Sequence, residues 1–182
     1  MQAVRMRIFG VVVLILAACT TGPTIRTHTD PTADLSRFRS FGFFTQGQAY
    51  SSFVSRYIES AVADEMVARG YVRSDTPDLL INFHVQTKDK VQVTQTPSAY
   101  YGWRRGYAWG GAYGGYDTDV RQYTEGTLNI DLVDRSRNQL VWEGIAVGRI
   151  QSKSVDDPQP AIKAVVAQVF EKYPARASAA GS

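Results

Sequence analysis

The chain has one cysteine and two histidines, and this scarcity excludes several kinds of site. A lone thiol, Cys19, cannot form an intramolecular disulfide or a cysteine-rich metal site. The histidines, His28 and His84, stand far apart and no His-Glu-x-x-His pattern is present, so a three-ligand zinc site is not predicted. The sequence also lacks a phosphate-binding Gly-x-x-x-x-Gly-Lys loop and a Gly-x-Ser-x-Gly nucleophile elbow. We therefore expect neither a cofactor nor a metal.

A strong charge of one sign is also missing. The formal net charge is +3, and two of the basic residues, Arg5 and Arg7, precede an apolar run at the N-terminus. Without these two arginines the charge falls to +1, which provides no cationic field for a nucleic acid. We therefore predict no nucleic-acid partner.

The apolar run, residues 8–18, indicates export. A signal-peptide core has about 7–15 apolar residues, whereas a membrane-spanning helix needs about 20, and this run has the shorter length. It ends in Leu-Ala-Ala-Cys at residues 16–19, which resembles the lipobox of bacterial lipoproteins. Cleavage would then fall between Ala18 and Cys19. An ordinary secretory signal followed by an unmodified cysteine is the alternative.

The lipobox resemblance implies that residues 1–18 are a signal peptide and that Cys19 receives the acyl chains. Two or more acyl chains hold a protein stably on a membrane without a spanning helix. Residues 19–29 are polar and short, and we interpret them as a lipidated tether. Thr20 stands where Asp often retains such proteins in the inner membrane, so we expect the periplasmic face of the outer membrane, with the inner membrane as the alternative.

Hydrophobic periodicity predicts a single α+β domain over residues 30–174 and a flexible tail over residues 175–182. Apolar residues at helical spacing predict a helix that is capped at Ser51 or Ser52 and ends at Gly70. A second helix is predicted from Pro158 to about residue 173. Strands separate them in the order strand, helix, strand, strand, strand, helix. This order predicts a two-layer fold with a mainly antiparallel sheet of about four strands and both helices on one face.

One pair of predicted strands is unusually long. Apolar side chains occupy odd positions from Leu79 to Val85 and again at Val91 and Val93, so a single strand extends beyond the domain core. A further strand resumes near Val120 and alternates at even positions up to residue 132. Together they predict a long hairpin whose tip, YYGWRRGYAWGGAYGGY, is rich in glycine and aromatic residues.

The tip is the predicted contact surface for another envelope component: a protein, a cell-wall polymer or the membrane. Tyr and Trp bring large amphipathic surfaces and favour interfaces, while the two arginines can meet an acidic group. The predicted contact residues are Tyr100, Tyr101, Trp103, Arg104, Arg105, Tyr107, Trp109, Tyr113 and Tyr116. The alternative is a glycine-rich loop whose exposed rings contact nothing.

Three segments carry a family resemblance: DPTADLSRFRSFGFF, ARGYVRSDTPDLLINFHV and EGTLNIDLVDRSRNQLVWEGIA. They contain Pro77-Asp78-Leu79 before a strand and a Trp-x-Gly that begins at Trp142 in the last strand. In order and spacing they resemble the bacterial lipoprotein family known as domain of unknown function 4136, over residues 30–174. The resemblance implies a location and a fold, and it implies no active site.

Two functions in different classes follow. The first is a lipid-anchored, non-enzymatic binding or structural module of the cell envelope. The second is an envelope hydrolase in which His84 acts with an acid that the sequence does not identify. Asp131 and Asp134 are three residues apart in a predicted strand, so they point to opposite faces and cannot act as a pair. Trp142 is interpreted as a core residue rather than a ligand platform.

Overall fold

The computed structural model describes residues 22–44, 52–99, 114–151 and 153–177. In this part of the chain, no helix is long and apolar enough to cross a membrane. The described elements are β1 (Thr24–Thr29), a 3₁₀ turn (Leu35–Arg37), β2 (Ser40–Phe43), α1 (Phe53–Ala68), β3 (Val72–Arg73), β4 (Leu79–Ala99), β5 (Gly114–Asp134), β6 (Gln139–Arg149), α2 (Lys153–Asp156) and α3 (Pro158–Phe170).

The sheet is mixed and has six strands in the order β1-β6-β5-β4-β2-β3. Strands β1, β6, β5 and β4 pair antiparallel, whereas β2 runs parallel to both β3 and β4. The prediction of a mainly antiparallel sheet of about four strands with two helices is therefore wrong. The described chain also contains a third helix, α2, which is a single turn of four residues.

Each additional strand has a physical reason for having been missed. β1, with the sequence TIRTHT, lies within residues 19–29 and is a polar edge strand, in which Ile25 is the single apolar side chain. β3 is only two residues long, which is too short for any alternation to show. β2 is parallel to β4 because the chain crosses over through α1 and re-enters the sheet from the same end.

α1 begins and ends on the expected signals, whereas α3 begins at the expected proline and ends at Phe170, before the predicted end near residue 173. The Ser52 hydroxyl accepts a hydrogen bond from the backbone N–H of Ser55 at 3.0 Å and caps α1. Gly70 follows this helix with φ of 87°, a left-handed conformation that glycine adopts without strain. Pro158 begins α3, where its missing N–H removes no helical hydrogen bond.

The core lies between one face of the sheet and helices α1 and α3. Alternation places odd residues of β4 and even residues of β5 and β6 on this face, which we call the helix-covered face. The opposite face of the body is called the open face. Among the buried core residues are Ile58, Val62, Met66, Leu79, Ile81, Ile130, Leu132, Trp142, Ala146, Val166, Val169 and Phe170.

The Trp-x-Gly motif is a packing unit of this core. Trp142 is 1% exposed, as the sequence interpretation required, and its ring lies over Gly144. A Cβ atom at Gly144 would stand 2.5 Å from Trp142 Cη2 and 2.4 Å from Val169 Cγ1. Gly144 faces Ile130 in regular register. The register shifts between Leu132 and Val133, which leaves Val141 as the extra residue of β6.

Asp134, the last residue of β5, forms an ion pair with Arg37 near the start of the domain. Its carboxylate is 1% exposed, pairs with Arg37, and accepts hydrogen bonds from Ser136 and Arg137. Burial raises the pKa of Asp134, but hydrogen bonds from Arg137 and Ser136 outweigh burial and hold the pKa well below its usual range. Asp131 lies on the open face, so the two acids do point to opposite faces.

Candidate functional site

The two longest strands extend far beyond the rest of the sheet. β4 and β5 have 21 residues each, whereas β6 has 11 and its ladder with β5 ends where Glu125 faces Arg149. In the described part of the chain, residues 89–99 and 114–124 form a strand ladder only with each other, and a backbone hydrogen bond from Ile150 N–H to the Thr124 carbonyl at 2.9 Å joins their root to the body. We call these residues the ribbon. At about 3.3 Å per residue it projects roughly 35 Å from the body.

The two faces of the ribbon differ sharply in polarity. The face continuous with the helix-covered face carries Val91, Val93, Val120 and Tyr116, which are 59%, 56%, 58% and 72% exposed. We call it the apolar face. Asp89, at the root of the ribbon, also lies on this face, and the polar residues Gln95, Thr118, Gln122 and Thr124 stand among the apolar ones. The opposite face, which we call the charged face, carries the other charged side chains of the ribbon. These are Lys90, Asp117, Asp119 and Arg121.

The root of the ribbon is fastened to the body through its charged face. The guanidinium of Arg149, at the end of β6, lies 3.9 Å from the ring centroid of Tyr123 and donates a hydrogen bond to Gln92. Lys90 forms an ion pair with Glu125 at 2.9 Å. These contacts join both strands to β6, so the direction in which the ribbon projects is set by the sheet.

One predicted contact residue, Tyr116, lies within the described residues. It pairs with Pro97 across the ribbon and is more exposed than Val91, Val93 and Val120. The other predicted site residues lie outside the described residues: Ala18, Cys19, Tyr100, Tyr101, Trp103, Arg104, Arg105, Tyr107, Trp109 and Tyr113.

The N-terminal end of β1 and the root of the ribbon lie at the same end of the sheet. Thr24 pairs with Val147, which pairs with Thr127, which in turn pairs with Gln86 of β4. The ribbon begins only three positions beyond this row. Residues 22 and 23, which lead into Thr24, therefore lie at the end of the sheet from which the ribbon projects.

A polar row crosses the open face. His28 of β1 faces Glu143 of β6, which faces Asp131 of β5, which faces Asn82 of β4. Burial, together with the nearby Glu143 carboxylate, raises the pKa of Asp131, while a hydrogen bond from Asn82 and the charge of His84 act in the opposite direction. Within the described ranges, no group of three or more His, Cys, Asp or Glu side chains could hold a metal ion. The row can take up a proton at Asp131.

His84 lies in the wall of a cleft of about 950 Å³ between the end of β2, the start of α1 and β4. Its ring forms a hydrogen bond with the Gln86 amide at 3.2 Å. His84 also acts electrostatically to lower the pKa of Asp131. The cleft also contains the Ser52 and Ser55 hydroxyls, which bond each other at 2.8 Å. His84 and Asp131 are thus neighbours on the open face, but Asp131 is not among the residues that line the cleft, and the two hydroxyls are engaged in the cap of α1.

The family of the domain of unknown function (DUF4136) matches residues 25–175, which include nearly all of the described strands and helices. The chain belongs to this family. None of the curated proteins compared with the chain matches it. The family assignment explains the order of the three segments that carried the resemblance, and it assigns no chemistry to the ribbon or the cleft.

Solved structures similar to this DUF4136 domain include a PDZ domain protein from Parabacteroides distasonis, at 14% identity and a TM-score of 0.58. The match covers 82% of this chain and 35% of that one, so the chain spans about a third of that protein's length. A PelC dodecamer from Paraburkholderia phytofirmans matches at 17% identity and a TM-score of 0.49, covering 85% of this chain and 98% of that one. The likeness to the PDZ domain protein shows a shared fold and no function.

Sequence reasoning missed the polar row of the DUF4136 domain. His28 was interpreted as a tether residue, and Glu143 was considered only as part of the Trp-x-Gly motif. Alternation alone places Asp131 on a polar face, but it does not say which residues of β6 and β1 stand beside it. That information is in the strand register, for which the sequence carries no separate signal.

Proposed function

We propose that this DUF4136 domain is a non-enzymatic binding module of the bacterial envelope, cleaved after Ala18 and anchored by a lipid at Cys19. It stands on the periplasmic face of the outer membrane and presents the ribbon to another envelope component. The observation that carries the proposal is the ribbon itself, an extension of about 35 Å whose apolar face exposes three valines and a tyrosine.

Contact between the apolar face of the ribbon and water is unfavourable, and a partner that covers this face removes that contact. Exposed apolar patches on soluble proteins mark interaction sites. On this face Val91, Val93 and Val120 are neighbours, and the Gln95–Thr118 pair separates them from Tyr116. The outer edge of β4 has a feature that limits pairing with strands of other molecules. The carbonyl of Ile81 accepts a hydrogen bond from Phe44, so odd residues of β4 turn their backbone groups to this edge. Pro97 is one of them, and its missing N–H shortens the edge available to another strand.

Crosslinking of whole envelopes tests the proposal. We compare Val93→Ser combined with Val120→Ser, a cross-strand pair of the apolar face, with Thr94→Ser combined with Asp119→Asn, the adjacent pair of the charged face. We expect the first variant to lose most crosslinks to other envelope components and the second to keep them. Equal crosslinking by both variants, with melting temperatures unchanged, would remove the ribbon as the contact surface.

A further inference from the structure

We infer that the apolar face of the ribbon lies on the surface of the lipid membrane that holds the anchor. This inference rests on the proposed lipid-anchored binding module and names the membrane as the component that the ribbon binds. Four side chains of the ribbon form the contact: Val91, Val93, Val120 and Tyr116.

The direction of the ribbon is the first support. β1 begins at Thr24 in the row that ends at Gln86, just before the ribbon root. Residues 22 and 23, which lead into β1, and the ribbon therefore lie at the same end of the sheet. A lipid on Cys19 places the bilayer at that end.

The lengths of the two segments are the second support. Cys19 precedes Thr24 by five residues, which span at most about 18 Å when fully extended. The ribbon is about 35 Å long, so it is longer than the gap that the tether allows between the body and the bilayer. A ribbon that projects toward the bilayer must then either enter it or lie along its surface.

Backbone chemistry decides between these two placements. Beyond Phe83, odd residues of β4 turn their N–H and C=O groups to the outer edge, and the even residues at 118–122 of β5 do the same on the other side. Hydrocarbon offers no partner to such groups, and open sheet edges do not occur within it. Water and lipid headgroups do offer partners, so the ribbon lies along the interface.

The distribution of side chains fits that placement. The apolar face presents valines and Tyr116 toward the acyl boundary, and tyrosine favours the level of the headgroups. The charged face, with Lys90, Asp119 and Arg121, then points to water. This is the amphipathic arrangement by which helices lie on a membrane, built here from two strands.

The test uses the full, lipidated chain in vesicles of phosphatidylethanolamine and phosphatidylglycerol. Cys19 is the single cysteine and its sulfur is acylated in the mature protein, so an introduced cysteine is the one site that a thiol-reactive fluorophore can label. We label Val93→Cys and, as the matched control, Thr94→Cys, whose side chain points to the opposite face of the same strand. Lipids with a nitroxide near the top of the acyl chain act as the quencher.

We expect quenching at position 93 to be several-fold stronger than at position 94, and the pair Val120→Cys and Arg121→Cys to repeat the difference. Equal quenching at both faces overturns the inference. A fluorophore at position 93 that is shielded from water but not quenched by lipid overturns it too, and points to a second copy. If the protein does not float with vesicles, the anchor fails and the proposed function fails with it; flotation with equal quenching leaves the proposed function standing.

Discussion

Replacement of Gly144 by Ala should destabilise the domain through a single methyl group. The new Cβ would stand 2.4 Å from Val169 Cγ1 and 2.5 Å from Trp142 Cη2, well inside van der Waals contact. Both neighbours are fully buried, and valine has little χ1 freedom with which to move away. Overpacking of this kind costs about 1–3 kcal/mol, and we expect the upper end because neither neighbour is a flexible side chain.

Thermal unfolding measures this cost. For a domain of this size, about 1 kcal/mol lowers the melting temperature by roughly 2–4 °C, so Gly144→Ala should lower it by about 6–12 °C. Gly126→Ala is the matched control in the neighbouring strand, because its nearest contact, Ile150 Cγ1 at 3.2 Å, is longer than either contact at Gly144 and belongs to a side chain that is 37% exposed and can shift toward solvent. In a Val169→Ala background the Gly144→Ala penalty should shrink. A penalty no larger than that of Gly126→Ala would refute the packing account of the Trp-x-Gly motif.

Further predictions concern the fold and the anchor. The pKa of Asp134 is lowered in the folded protein, so the ionised carboxylate stabilises the fold. This contribution is complete above the unfolded-state pKa of about 3.9 and is lost as the pH falls toward the folded-state value. Asp134→Asn should therefore flatten the dependence of the melting temperature on pH below about 4. Cys19→Ser should abolish labelling by fatty-acid analogues and leave the precursor uncleaved, and undiminished labelling would contradict the anchor. A chelator should leave the melting temperature unchanged, since a sharp drop would reveal a structural metal. Replacement of residues 102–115 by a short Gly-Ser turn should preserve folding, as measured by circular dichroism.

Alternation predicted the parts of the fold in which one face is buried. Apolar side chains occupy the odd positions from Leu79 to Val85 and again at Val91 and Val93, because the parity that fills the core returns on the apolar face. β4 and β5 accordingly form the expected long hairpin. The 3.6-residue period likewise indicated α1 and α3. β1 was hidden because an edge strand with polar side chains on both faces has no such pattern. The parallel pairing of β2 depends on a crossover that periodicity does not describe.

Part of the candidate site likewise followed from alternation, and part of it depended on strand register. The exposed valines of the ribbon follow from an odd-position pattern that outlasts the core. The contact residues that the sequence predicted were those of the tip, of which Tyr116 lies within the described residues. The polar row of His28, Glu143 and Asp131 depends on register among three strands, two of which are far apart in the sequence. The proximity of β1 to the ribbon root also required the register.

Photo-crosslinking in intact cells tests the central claim most directly. A photoreactive residue in place of Tyr116 samples what touches the apolar face, and one in place of Asp117, its neighbour on the charged face, is the control. The ribbon account predicts an adduct with an envelope component from position 116 and little or none from position 117. Adducts of equal yield from both positions, or from neither, would contradict it.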